Sequence, residues 1–283
     1  MSGHRLKRVL ALHDISCFGK CSLTVALPII SACGHECTVM PDALLSAHTA
    51  IPGYTYLDLT DQIKPVFSHW HDLGLRFDSI YTGFICNEEQ ISIACNIVDT
   101  MGDDPVIVVV DPAMADNGKL YPIFNESFPL HMKELCARAD VLKPNITEAC
   151  LLLGREYREG PYTEEWVDGL LKDLTALGSR RTVLTGVYFD DEKIGAATYD
   201  SDTGEIEYIL NDKVPGIYHG TGDVFCSVVV GALNRGKPFN EAVRLAVDFT
   251  QESILRTYRA GTDVRFGVDF ESGLPDLIRN LIG

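Results

Sequence analysis

The chain has 283 residues, 46% of them hydrophobic and 23% charged, with a net charge of −16 at pH 7. These proportions suit one large α/β domain or two small ones, and no run of about 18 apolar residues exists to span a bilayer. A field of that sign disfavours nucleic acid and anionic membranes as partners, so any bound phosphate must be held by local backbone dipoles, a metal ion and a few cations.

The basic start, Met1 to Arg8, is followed by a short apolar stretch broken by His13 and Asp14, which reads as a first strand, Val9–Leu12, and not as a signal peptide. Leu23 to Cys33 has helical spacing and ends near Gly34. Cys37–Met40 reads as a second strand stopped by Pro41. Tyr54–Leu59 alternates and is expected to stand off the main sheet as a flap or dimer contact. Ser79–Thr82 is a strand ending at Gly83, and Glu88–Met101 a helix capped by Asn87. Val106–Val110 is five β-branched residues in a row, the pattern of a strand buried on both faces. Val141–Lys143 is followed by Pro144-Asn145 and a helix over Thr147–Leu153. A helix over Glu164–Ala176 leads to the strand Arg181–Thr185, which ends at Gly186. Gly195–Tyr199 and Glu205–Leu210 flank Ser201-Asp202-Thr203-Gly204 as an antiparallel hairpin. Two helices, 224–234 and about 240–258, precede a short tail. Repeated βα units imply a mostly parallel sheet with helices on both faces, and no linker or repeat divides the chain.

Nine cysteines, an odd count without any Cys-x-x-Cys pair, read as free thiols of a reducing, cytoplasmic compartment. Cys17/Cys21 and Cys33/Cys37 lack a matching second pair, so zinc is not expected.

Ligands of open α/β sheets bind beyond the carboxyl ends of the strands. Polar residues gather there: His13-Asp14, Asp42, Ser46-Ala47-His48-Thr49, Gly83-Phe84, Asp111-Pro112, Asn145 to Glu148, and Thr185-Gly186. Each has a plainer reading. Asp111-Pro112 suits a turn, Asn145 to Glu148 a capped helix start, His48 a structural histidine and Phe84 the core. Phe18-Gly19-Lys20-Cys21-Ser22 fails as a P-loop, since Asp14 stands where its first glycine belongs. The most informative segment is Gly220-Thr221-Gly222-Asp223 ahead of the apolar run Val224–Leu233. It is either a glycine-rich turn with Asp as N-cap, or an anion site at a helix N-terminus. In the second case Asp223 is placed to take a proton from a hydroxyl that attacks a phosphate.

Asp111-Pro112-Ala113-Met114 with Gly118-Lys119-Leu120-Tyr121, Lys143-Pro144-Asn145-Ile146-Thr147-Glu148 and Gly220-Thr221-Gly222-Asp223 resemble, in order and spacing, the ribokinase-like superfamily. Ser46–Thr49 and Tyr81–Phe84 narrow the resemblance to its pyridoxal kinase family. The resemblance implies a three-layer α/β/α fold, one domain over 1–283 with a small flap, and a homodimer. It implies ATP-dependent phosphorylation of the 5′-hydroxymethyl group of a vitamin B6 vitamer with Mg²⁺; a monovalent-cation requirement stays open. Asp223 would be the base, and Gly220, Thr221 and Gly222 the anion hole. Asp111, Asn145, Glu148 and Thr185 would serve ATP, with Asp111 and Glu148 reaching the metal through water and phosphates. Asp14, Asp42, His48 and Phe84 would face the substrate, and Ala115 to Tyr121 would cover the phosphates. Asp14 and Asp42 stand where the family carries Ser and Thr, which favours pyridoxamine or pyridoxine over the aldehyde pyridoxal. Hydroxymethylpyrimidine or sugar kinases, and a non-catalytic sensor on the same fold, are the alternatives.

Overall fold

The computed structural model describes residues 5–101 and 106–282; residues 1–4 of the basic start lie outside the described residues. The strands are β1 (Arg8–Ser16), β2 (Glu36–Leu45), β3 (Tyr56–Asp58), β4 (Ser79–Thr82), β5 (Ile107–Val110), β6 (Ala115–Asp116), β7 (Lys119–Leu120), β8 (Val141–Leu142), β9 (Arg181–Val187), β10 (Lys193–Asp200) and β11 (Glu205–Asp212). The helices are α1 (Leu23–Ala32), α2 (Thr60–Asp72), α3 (Glu88–Thr100), α4 (Phe128–Cys136), α5 (Ile146–Leu153), α6 (Glu164–Thr175), α7 (Thr221–Asn234), α8 (Phe239–Ala260) and α9 (Leu274–Ile282).

Among the described residues, nine strands form one sheet in the order β11-β10-β9-β8-β5-β4-β1-β2-β3. The six from β9 to β2 run parallel, and the antiparallel β10–β11 hairpin and β3 finish the two edges. Each central strand sends alternate side chains to opposite faces, as the period of two requires. Val9, Tyr81, Val109, Val141 and Val183 pack under α1, α7 and α8. Leu10, Ile80, Val108, Val110, Leu142 and Leu184 pack under α3 to α6. Two apolar layers thus sandwich the sheet, the three-layer arrangement expected of repeated βα units.

Several elements differ from the sequence reading. β2 runs through Pro41 instead of stopping there. The β1–β2 register shifts between His13 and Ile15, where Pro41 gives way to Leu44, and β3 pairs only from Ala43 onward. A proline at a bulge with an unpaired outer side forfeits little of the ladder. β1 likewise continues to Ser16, so Asp14 lies inside a strand. Tyr54–Leu59 does not stand off: β3 joins the main sheet against Ala43–Leu45, though its residues are exposed. β9 continues through Gly186 to Val187. Helices α2, α4 and α9 were not expected. α2 carries Ile63, Val66, Phe67 and Trp70 at helical spacing against the core, but Pro65 stands inside that stripe and reads as a break.

Candidate active site

The segment 220–223 starts its helix earlier than the apolar run suggests. Gly220, not Asp223, is the N-cap, in the left-handed region at φ 76° and without a side-chain cap bond. A side-chain carbon at Gly220 would lie 2.1 Å from the Lys20 carbonyl oxygen, so only glycine fits. The first intrahelical bond runs from the Val224 N–H to the Gly220 carbonyl, at 3.0 Å. The N–H groups of residues 221–223 precede it and carry the positive end of the α7 dipole. Asp223 therefore sits in the first turn of the helix without serving as its N-cap.

A cavity of about 430 Å³ opens on this turn and is lined by Asp111, Lys143, Asn145, Glu148, Thr185 and Gly220–Asp223. Asp111 follows β5, Lys143 follows β8, and Asn145 and Glu148 open α5, so the parallel sheet delivers all of them to one rim. Lys143 Nζ donates to Asp111 Oδ2 at 2.6 Å, and both side chains are buried. The same ammonium lies 3.3 Å from where a Gly222 side-chain carbon would be, beside the anion turn. Asn145 accepts the Glu148 N–H at 2.9 Å, and Glu148 accepts the Asn145 N–H at 2.8 Å, a complete capping box. The second Glu148 oxygen accepts the Met114 N–H at 3.2 Å. The plainer reading of this segment and the functional one therefore coexist, because the capped residues also line the cavity.

Three carboxyls share one ammonium here, and their acidities respond. Burial, and then Asp111, push Asp223 up to about 7, while the Ser22 N–H and Lys143 pull it back. Burial and Asp111 push Glu148 up to about 8. Asp111 rises through burial against the pull of Lys143, whose own ammonium is held charged by Asp111. Three buried carboxyls thus face one buried ammonium, and burial with mutual repulsion is what raises them.

Asp14, Asp42, His48 and Phe84 do not line this cavity; each is buried at its margin. Asp14 accepts the Ser16 hydroxyl at 2.7 Å and is near enough to raise Asp223. Asp42 is fully buried, its Oδ2 has no hydrogen-bond partner, and burial and then Asp14 push it well above the carboxylate range. His48 Nε2 lies 2.6 Å from the Arg265 carbonyl, and the ring faces His219 of the cavity wall at 5.1 Å. Phe84 joins an aromatic cluster with Tyr121 and Phe124. Ala115 to Tyr121 contains the β6–β7 hairpin, fastened to α5 by Asn145 Nδ2 donating to the Ala115 carbonyl at 2.9 Å and by the Gly118 N–H donating to Thr147 at 3.0 Å.

Sequence reasoning missed Lys143 as a site residue. The available signal was a lysine directly after a buried strand, where solvation alone would not place one. It also missed the apolar end of the cavity, formed by Val214, Phe225, Val247 and Ile254, which pair a flat apolar slot with the polar rim. Among the described residues no group of three or more His, Cys, Asp or Glu is arranged to hold a metal directly, and no helix is long and apolar enough to cross a membrane.

A family model described as phosphomethylpyrimidine kinase matches residues 58–266. The pyridoxine kinase of Bacillus subtilis (strain 168) is 26% identical over 201 residues, covering 70% of this chain and 71% of that one. The pyridoxal kinase of Lactobacillus plantarum superposes with a TM-score of 0.89 at 30% identity over 98% of both chains. A Bacteroides thetaiotaomicron protein solved with pyridoxal superposes with a TM-score of 0.92 at 33% identity, over 99% of this chain and 96% of that one. The chain belongs to the phosphomethylpyrimidine kinase family, a phosphotransferase with an alcohol acceptor on the ribokinase-like fold of the pyridoxal kinases.

Proposed function

We propose that the protein transfers the γ-phosphoryl group of ATP to the 5′-hydroxymethyl group of a vitamin B6 vitamer. The observation that carries this reading is Asp223 in the first turn of α7, beside unbonded N–H groups and the Lys143 ammonium in one cavity. The substrate hydroxyl gives its proton to the Asp223 carboxylate as its oxygen attacks the γ-phosphorus, and the bond to the β-phosphate oxygen breaks to release ADP. The N–H groups of the Gly220–Asp223 turn and Lys143 take up the charge on the migrating group. The apolar slot around Val247 and Ile254 suits the adenine, and Thr185 borders the same site. Both Glu148 oxygens are spent on backbone N–H groups and one Asp111 oxygen on Lys143, which fits a hydrated Mg²⁺ held by phosphates rather than one ligated directly. Bound there, Mg²⁺ would neutralise phosphate charge, with Asp111 and Glu148 accepting from its waters.

Asp14 and Asp42 bias the choice of substrate in this reading. Among the described residues neither forms an ion pair with Lys or Arg, and Asp42 keeps an unpartnered oxygen. Burial raises both carboxyls, and a substrate ammonium would ionise them and pair with them, which an aldehyde cannot do, so pyridoxamine is preferred over pyridoxal. Hydroxymethylpyrimidine, which also carries an amine, is the competing substrate. All nine cysteines are free, which suits a reducing compartment. The exposed Leu44, Tyr56 and Leu57 on the β2–β3 edge are the candidate contact of a homodimer.

An ADP-release assay across pyridoxamine, pyridoxine, pyridoxal, hydroxymethylpyrimidine and ribose tests the proposal. Pyridoxamine is expected to give the highest kcat/KM, and Asp42→Thr to narrow its lead over pyridoxal by roughly tenfold. Highest efficiency on hydroxymethylpyrimidine would move the assignment to the pyrimidine, and highest efficiency on ribose would remove the heteroaromatic reading.

A further inference from the structure

The turn between β1 and α1 is held in an unfavourable backbone conformation directly against the proposed phosphoryl site. Gly19, Lys20 and Ser22 have φ of 107°, 53° and 54°, and the latter two are not glycines. Such residues persist only where their surroundings over-determine them. Both ends of this turn touch the active-site helix. The Lys20 carbonyl is the group packed against Gly220, and the Ser22 N–H faces the Asp223 carboxylate and lowers its pKa. Ser22 is also the N-cap of α1, yet makes no side-chain cap bond there, and lies near enough to Asp14 to lower its pKa.

What over-determines the turn comes from the far end of the chain. Lys20 Nζ donates to Glu271 Oε2 at 2.8 Å and to the Val268 carbonyl at 3.3 Å. A side-chain carbon on Gly267 would lie 2.6 Å from both the Gly19 carbonyl oxygen and Lys20 Cβ, so this segment is packed onto the turn. Phe18 meets Phe266 edge-on at 5.0 Å, and the His48 ring, bonded to the Arg265 carbonyl, fills the space over Gly19. A half-exposed ion pair is weak by itself. Here it acts with the packing of 265–268 on one short turn.

We propose that residues 265–271 clamp the Gly19–Ser22 turn through Lys20, and that Lys20 and Glu271 are positioning residues that keep the Lys20 carbonyl against Gly220 and so hold the first turn of α7, which carries Asp223. The inference rests on Asp223 as the proton acceptor of the proposed reaction. The clamp joins sequence positions some 250 apart, so the C-terminal segment bears on the placement of Asp223 through the Lys20 turn.

Comparing Lys20→Ala with Lys20→Gly tests this. Both lose the ammonium, but only alanine is disfavoured at φ 53° once the clamp is gone, whereas glycine adopts that angle freely. Lys20→Ala is expected to lower kcat roughly tenfold, with the KM for ATP little changed. Lys20→Gly is expected to retain kcat within about threefold. Glu271→Ala should follow Lys20→Ala in direction. Equal loss in the alanine and glycine variants would overturn the clamp and assign the ammonium a direct role. Wild-type kinetics in both would also overturn it. Asp223→Asn in parallel separates the two readings: turnover retained there removes the base, whereas turnover lost there with Lys20→Ala unaffected removes only the clamp.

Discussion

Asp223→Asn is expected to lower kcat by about 10³-fold while nucleotide affinity changes little, because asparagine keeps the shape of the turn but cannot take the hydroxyl proton. The pH profile gives the second reading. With the Asp223 carboxyl of the free protein pushed up to about 7, wild-type kcat/KM should fall as pH drops through that value and the base becomes protonated. The residual rate of the asparagine variant should lack this limb. Stability should move the other way. An aspartate whose folded pKa is raised favours the native state below its unfolded value, and that contribution is lost as pH rises through about 7. Asn carries no such charge, so the variant should melt at higher temperature than wild type at pH 8 and show no such gain near pH 4. A variant that kept turnover, or that kept the acid limb, would remove Asp223 from the role proposed for it.

Lys143→Met should damage both fold and rate. It leaves Asp111 buried without the ammonium 2.6 Å away, and an uncompensated buried charge destabilises by about 3–5 kcal/mol. Urea denaturation would read that loss. The same change removes a cation from beside the anion turn, for which a kcat loss of roughly 10²–10³ is expected. The double variant Lys143→Met/Asp111→Asn separates the two effects. It should recover most of the stability, since neither group is then charged, and should not recover the rate. Recovery of both would make the pair a structural ion pair alone.

Much of the architecture was legible because the local signals agreed. The valine strand, the Ser201–Gly204 hairpin and the Asn87 cap are settled by side-chain period and turn chemistry within a few residues, and the structure has all three. Pro41 misled because a proline stops a strand only where its missing N–H matters, and the outer side of β2 is unpaired at that point. Helix α2 was missed although Ile63, Val66, Phe67 and Trp70 form a helical stripe, because Pro65 in its middle reads as a break. In the site, Asp111, Asn145, Glu148 and Asp223 stood out as carboxylates and amides at strand and helix ends. Lys143 did not, since its meaning depends on β8 lying beside β5, a pairing that brings Val110 level with Leu142. The same limit applies to Glu271, whose partner is at the opposite end of the sequence and is found only in three dimensions.

The β6–β7 hairpin is sewn to the opening turn of α5 by Asn145 and Thr147, and Met114, the residue leading into it, by Glu148. These are the same residues that cap that helix or open it. One set of side chains secures both, through different atoms: Asn145 caps with Oδ1 and holds the hairpin with Nδ2, and Glu148 divides its two oxygens in the same way. A single substitution at Asn145 or Glu148 would therefore strip a cap from the helix and a tether from the hairpin in one stroke, which ties the rigidity of the two together.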